Sequence, residues 1–467
     1  MRVLIPLLLV CCLVAGTTAQ YHDPVYVMGG YKTTSTLYGT GYWLGDTRAP
    51  TYTKLFSLDY SSMGVKMDAD NRRILFTVRG STSASYPGGV KSGIFRYDPN
   101  LKTVSTFLAN TMSLYSCYHI HINQDGDYVF GCQAMTSASP VVYDNYLYKV
   151  TAGGTVSTLL TTLKLGITRS DFNSYICRNM DTGNYLVCVP MVSMSSVSKI
   201  AGGAILDVAD DGSFTTFSTG GTNGWNGAYN MPQDHDTGWI EGQYNNTLYR
   251  IKPGNTSCAT LWHLGRPGGH NIQYTCEFDL QSAANKRWVS MGYYYGNIGG
   301  QLYYAPVTYY IDQKTYAVTY VSLDPNRATA GWRNYTYAFD FYRGRHIQTI
   351  KLGKGHHDIY LSCPGFPGKD YVLLLSAAGY RPGLKVPDGR TVHLNLDDFF
   401  KLSLNNLLKP YFDPGPLKLD ANGLATGSID VRALPTLNIP VWIAMAVLDP
   451  AAPSGIAYLP DTYVMRL

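Results

Sequence analysis

The sequence predicts an all-β protein: a six-bladed β-propeller whose ring is closed by N-terminal strands, followed by a small β-sandwich. Three observations lead there. Of 32 acidic residues only Glu241 and Glu277 are glutamates, while Gly reaches 47 and Tyr 39, so turn and strand formers replace a strong helix former. Charged residues make up 15% of the 467, against roughly 25% in an average soluble domain, so hydroxyls and amides supply much of the polar surface. One hairpin recurs along most of the chain, with no helical periodicity between its copies.

Residues 1–19 read as a secretory signal. Arg2 precedes an apolar run from Val3 to Val14, interrupted by Pro6, and the small residues Thr17-Thr18-Ala19 lead to Gln20. The expected location is therefore secreted, at the cell surface or in the periplasm. Losing the signal leaves 36 basic and 32 acidic residues, a net charge of +4 that is too small to imply a nucleic-acid partner. No later stretch holds 18 unbroken apolar residues, so no membrane span is expected.

The propeller is expected over 20–352. Ile94-Phe95-Arg96-Tyr97 leads through a turn to Thr103-Val104-Ser105-Thr106, and Leu147-Tyr148-Lys149-Val150 leads to Thr155-Val156-Ser157-Thr158, 52 residues further on. Related hairpins lie at 42–58, 204–218, 248–264 and 307–321, making six of this outer type. Between them stands a second type, with turns at Asp68 to Asn71, Asn123 to Gly126, Asp181 to Asn184, Asp234 to Gly238, Gln281 to Asn285 and Tyr342 to Arg345. Two hairpins per unit give four strands per unit, and six such units are the signature of a propeller. The series starts on an outer hairpin and ends on an inner one, so 40–58 is expected to complete the blade begun by 335–350.

Seven cysteines remain after the signal, in a compartment where pairing is expected. Four-residue turns would set Cys117 opposite Cys132 and Cys177 opposite Cys188, at positions close enough for disulfides. Cys258 with Cys276 would join adjacent blades, leaving Cys363 as the odd thiol.

From 353 to 467 the repeat stops. Strand-like runs at 371–376, 428–433, 440–448 and 462–467 predict the sandwich, with a short helix over Asp397 to Leu408. Leu361-Ser362-Cys363-Pro364-Gly365, Leu419-Asp420-Ala421-Asn422-Gly423 and Val447-Leu448-Asp449-Pro450-Ala451-Ala452-Pro453 resemble the C-terminal module of uncharacterised secreted bacterial propeller proteins. The resemblance covers about the last quarter of the chain, implies secretion and modularity, and brings no catalytic residues with it. The adjacent His356 and His357 are expected to be exposed hinge sequence at the domain junction.

Candidate chemistry is sparse. Glu241, Glu277 and Asp279 are the carboxylates that a glycosidase or lyase would use as acid and base. Trp225, Tyr229, Trp239 and Tyr274 are the rings that would stack on sugars. His119 and His121, two apart on a strand, would present one face to a metal, with Asp234 or His235 as a third ligand in a metal-dependent hydrolase. The Asp-rich turns Asp68 to Asp70 and Asp207 to Asp211 are the places calcium would take, yet none matches the ligand spacing of a calcium loop, and tight turns demand the same residues. With no complete catalytic constellation, the expected function is a non-enzymatic secreted protein that binds glycans or surface proteins and needs no cofactor. A carbohydrate-active enzyme is the alternative.

Overall fold

The computed structural model describes residues 25–33, 38–46, 51–58, 62–68, 73–78, 93–109, 114–138, 141–161, 165, 176–189, 204–219, 233–244, 247–254, 259–263, 271–281, 287–298, 301–312, 315, 318–323, 335–341, 346–435, 437, 439–452 and 454–467. The fold is all-β. Strands β1 (Val25–Thr33), β2 (Tyr38–Asp46) and β3 (Thr51–Leu58) open the first sheet. The second is β4 (Ser62–Met67), β5 (Ile74–Val78), β6 (Gly93–Asp98) and β7 (Thr103–Ala109). The third is β8 (Leu114–Ile122), β9 (Tyr128–Ala138), β10 (Val141–Val150) and β11 (Val156–Thr161). The fourth is β12 (Ile176–Arg178), β13 (Tyr185–Val189), β14 (Ala204–Val208) and β15 (Phe214–Thr219). The fifth is β16 (Ile240–Tyr244), β17 (Thr247–Ile251) and β18 (Ala259–His263), with Gln233 bridged to Ile240 ahead of it. The sixth is β19 (Asn271–Gln281), β20 (Arg287–Ile298), β21 (Gln301–Asp312) and β22 (Val318–Leu323). Strand β23 (Tyr335–Phe341) then returns to β1, so the first sheet has the order β23-β1-β2-β3.

All six outer-type hairpins form, each as the two neighbouring strands at one edge of its sheet. Each of these pairs carries one register shift at the same place, beside Trp43, Phe95, Tyr148, Leu206, Tyr249 and Tyr309. A bulge bends and further twists the outer strand, and its recurrence shows that the sequence repeat is a repeat of backbone geometry.

The inner hairpins form around their expected turns except the last. Residues 335–341 and 347–353 do not pair across Tyr342 to Arg345: β23 pairs with β1, while β24 (Ile347–Gly353) pairs with β25 (His356–Ser362). The N-terminal share of the first sheet is thus three strands from Val25, where two from 40 were expected. Strand β1 escapes a reading by pattern because Gly29-Gly30 punctuates it, and its register with β23 shifts at that dipeptide.

The inner turns share one device. Asp68, Asn123, Asn179 and Asp234, spaced 55, 56 and 55 residues apart, each donate their amide to the carbonyl closing the turn, at 2.8–2.9 Å. Asn123 Oδ1, Asn179 Oδ1 and Asp234 Oδ1 also accept from the amide two residues on. These Asx turns are why Asp and Asn recur there.

They also correct the cysteine registers. Strand β12 ends at Arg178, opposite Tyr185, so Cys177 faces Leu186 and Cys188 faces Ile205; the turn is longer than four residues because Asn179 caps it. Cys117 does stand opposite Cys132, but through a bulge between Cys117 and Ile120, while Ile122 pairs with Tyr128 and not with Asp127. No disulfide forms among the described cysteines Cys132, Cys177, Cys188 and Cys363. The side chains of Cys117, Cys258 and Cys276 lie outside the described residues.

The C-terminal unit adds β26 (Asp370–Ser376), β27 (Leu384–Lys385), β28 (Thr391–Val392), α1 (Asp398–Leu404), β29 (Phe412–Asp413), β30 (Leu424–Asp430), β31 (Pro440–Leu448), β32 (Ile456–Tyr458) and β33 (Tyr463–Arg466). One sheet has the order β24-β25-β30-β29; in the other, β31 pairs with β26, β32 and β33. They share a core of Ile347, Ile359, Leu361, Leu373, Ile443 and Met445 among others. The expected helix begins where Asp397 accepts the Phe400 amide at 2.7 Å, an N-cap. Strand β31 is buried on both faces, so it reads as a continuous apolar run. Its second face meets a core in which Leu374, Tyr380, Leu394, Trp442 and Val464 enclose Met180 from the fourth sheet.

His357 corrects another expectation. It is 1% exposed on β25, on the inward side with Ile359 and Leu361, and is no hinge residue. Burial, helped by the charges of Lys351 and His356, pushes its ring down to about 4. An unfolded histidine titrates near 6.5, so below that pH the unfolded chain takes up the proton first. Stability should therefore be intact above about pH 6.5, fall by about 3 kcal/mol as pH drops to about 4, and level off below. Denaturation midpoints across that window should show the fall, and His357→Leu should flatten it.

Candidate functional site

Of the three predicted carboxylates, Glu241 has a described side chain and Glu277 and Asp279 do not. Glu241 and Arg250 are directly opposite on β16 and β17, which places their side chains on one face. Glu241 is 1% exposed, and both Arg250 Nε, at 2.9 Å, and Arg250 Nη2 donate to its Oε1. A guanidinium engages a carboxylate through charge-assisted hydrogen bonds, so Arg250 is the immediate ion-pair partner of Glu241. Glu277 faces Met291 and Asp279 faces Val289 on β19, with a bulge between Thr275 and Glu277; their side chains lie outside the described residues.

Of the predicted rings, Trp239 is half-buried, with Lys252 Nζ 4.2 Å and the Arg250 guanidinium 5.2 Å from its centroid. These cations use the π-face that a sugar would need. Tyr274 stands opposite Tyr293 in the β19–β20 ladder, its side chain outside the described residues. Trp225 and Tyr229 lie outside them altogether.

His121 is buried, edge-on to the Tyr185 ring at 5.9 Å. His119 falls in the bulge of β8, where the period of two that would align it with His121 is broken, and its side chain lies outside the described residues. Asp234 is used in its own turn, accepting from Thr237 Oγ1 at 2.8 Å. Among the described residues no three His, Cys, Asp or Glu side chains gather as metal ligands.

The Asp-rich turns hold ion pairs and hydrogen bonds between sheets. Asp68 Oδ2 pairs with Arg96, 2.9 Å from its Nε, and Oδ1 accepts from the Tyr128 hydroxyl of the next sheet. Asp207 accepts from Asn179 Nδ2 at 2.9 Å. Asp210 takes the Tyr185 hydroxyl and Lys149 Nζ, at 3.1 Å from the ammonium; burial works to raise its carboxyl, but these contacts outweigh it and hold the group low. Burial pushes the Tyr185 phenol up, with Asp210 adding to the effect, so the phenol stays a donor.

What the structure brings together is an end of three sheets that pattern reading did not single out. The inner turns of the third, fourth and fifth sheets all seat on the C-terminal unit. Thr349 Oγ1 donates to Gln124 O at 2.6 Å and Gln348 Nε2 to Asn123 O at 2.8 Å. Trp442 Nε1 donates to Met180 O at 2.9 Å, and Arg466 N to Gln124 Oε1 at 2.7 Å. Arg381 clasps Asp181 Oδ1 at 2.6 Å and Thr237 O. His393 Nε2 lies 2.8 Å from Asp236 Oδ1, with the His235 ring edge-on to it at 5.5 Å. Gly238, at φ +71°, leaves the space Arg381 fills; a Cβ there would collide with the guanidinium. These partners are hundreds of residues apart, and their only trace in the sequence is the recurring Asx-turn spacing.

Neither a protein-family model nor a curated protein matches the sequence. Among solved structures, the chain is similar to hydrazine synthase of Kuenenia stuttgartiensis, at 10% identity and TM-score 0.43, over 95% of this chain and 67% of that one. It is also similar to the periplasmic gluconolactonase of Pseudomonas aeruginosa, at 10% identity and TM-score 0.41, over 73% and 93%. A third similarity is to a putative TolB of Agrobacterium tumefaciens, at 10% identity and TM-score 0.38, over 67% and 96%. Likenesses at this level say nothing of this chain's activity.

Proposed function

We propose that the chain is a secreted binding protein: a six-bladed β-propeller, closed by β23 against β1, with its C-terminal sandwich docked on the inner-turn end, and with glycans as the partner. The observation that supports the non-enzymatic half is the Glu241–Arg250 pair, in which a guanidinium engages one of the expected acids. The docked unit supports the placement of the ligand. It covers inner turns of three sheets, so the ligand end of this reading is the opposite one, where β15 ends at Thr219. Trp225, Tyr229 and Tyr274 are the rings of this reading. Secretion rests on the signal-like residues 1–19 and on the resemblance of the C-terminal module; among the described residues no helix is long and apolar enough to cross a membrane.

The test is a glycan array run beside a polysaccharide-degradation screen on the purified mature chain. Retention of a glycan without turnover, reduced about tenfold or more by Trp225→Ala or Tyr274→Ala, is the expected result. Turnover lost in Glu277→Gln would replace the reading with a hydrolase or lyase, and retention of secreted proteins alone would replace the glycan.

A further inference from the structure

Arg178 ends β12 and is 8% exposed, at the junction of the fourth sheet with β33. Its Nη1 donates to Val464 O at 3.1 Å and reaches Gln124 Oε1 and Gly183 O at 3.5 Å. The Tyr463 ring covers the guanidinium, 5.2 Å from its carbon. Nε and Nη2 make up the other, side-on edge, and both are buried without a hydrogen-bond partner among the described residues. Three other arginines are engaged differently: Arg96 on Asp68, Arg250 on Glu241 and Arg390 on Asp388 each meet a carboxylate. Asp210, which feels the Arg178 charge, is already held by Tyr185 and Lys149.

A guanidinium cannot shed its charge by deprotonation, so burial does not neutralise it. Leaving its donors unmatched away from water is unfavourable. The Nε–Nη2 edge presents two parallel N–H groups at the spacing of two oxygens on one carboxylate or phosphate. A second cation stands close: Arg466 Nη2 donates to Thr182 O at 2.8 Å, and its amide shares Gln124 Oε1 with Arg178.

We propose that the side-on edge of Arg178 binds one small oxyanion, a phosphate or a carboxylate, at the junction between the fourth sheet and the C-terminal unit. The anion completes the pairing of Arg178 and ties the two parts of the chain together where Val464 already holds Nη1. This site is separate from the glycan reading and stands or falls without it.

Calorimetric titration of the purified full chain with sodium phosphate or sodium acetate, at constant ionic strength in sodium chloride, tests it. The expected result is saturable binding of one anion per chain by at least one of the two, with Tm rising about 2–4 °C at saturation. Arg178→Lys, which keeps the charge and loses the fork, should abolish the response, whereas Arg432→Lys at the exposed Asp430 pair should keep it. Should Arg178→Lys not fold, the Arg178 Nε–H resonance of the wild-type chain is the readout, and it should shift on titration. No saturable binding by either anion, an equal response in Arg178→Lys, or an unmoved Nε–H resonance would overturn the proposal.

Discussion

Trp442→Ala should cost about 3–5 kcal/mol of unfolding free energy and separate the unfolding of the C-terminal unit from that of the sheets before it. Trp442 is 7% exposed on β31, on the face that encloses Met180. It lies stacked near Tyr380 with centroids 6.4 Å apart, and its indole N–H is satisfied by Met180 O. Truncation removes the ring, opens a cavity in a core built from both parts of the chain, and strands a buried carbonyl. Denaturant unfolding followed at two probes, one in each part, checks this. Coincident transitions in the wild type should become two in the variant. Trp442→Phe keeps most of the packing and should cost about 1–2 kcal/mol, the share of the hydrogen bond and lost area. A loss below about 1 kcal/mol for the alanine variant would mean that the docking contributes little stability.

Arg250→Met should cost about 3–5 kcal/mol, because it leaves the Glu241 carboxylate at 1% exposure with its countercharge removed. It also strips one of the two cations from Trp239. Combining it with Glu241→Gln should recover much of the loss, since the buried charge goes too. Thermal unfolding of the two single variants and the double variant forms a closed cycle whose coupling measures the pair. Glu241→Gln alone should lower Tm. A variant that instead kept Tm and lost a polysaccharide-degrading activity would make Glu241 an acid catalyst.

The repeats were readable from sequence because the outer hairpins depend on local information: apolar alternation, Gly and Asp turns, and β-branched outer strands such as Thr103–Ala109. The helix and the strands near 371–376, 428–433, 440–448 and 462–467 were readable for the same reason, while the N-cap at Asp397 and the early end of the helix at Leu404 were not. Pairings decided at long range were not. Strand β24 carries Gln348 and Thr349 where a propeller strand was expected, and hydrogen bonds such as those to the third sheet's turn explain why those polar groups are buried. The sequence likewise marks Glu241 as scarce, yet says nothing of Arg250 lying opposite it, which is what decides its chemistry. Arg178 drew no attention, because an arginine at a strand end signals nothing until its neighbours are known.

The strand exchange between β1 and β23, with the seating of β33 on the inner turns, has a kinetic consequence. Tyr26 pairs with Phe341, and Arg466 bonds Gln124 across 342 residues of chain. Contacts this distant in sequence slow the search for the native state, because each closes a long loop before other contacts reward it. Any such contact that forms only after the folding transition state lowers the rate of escape without raising the rate of arrival. Where the β1–β23 and β33 contacts form after that state, their loss should show in faster unfolding and faster proteolysis with folding rates unchanged.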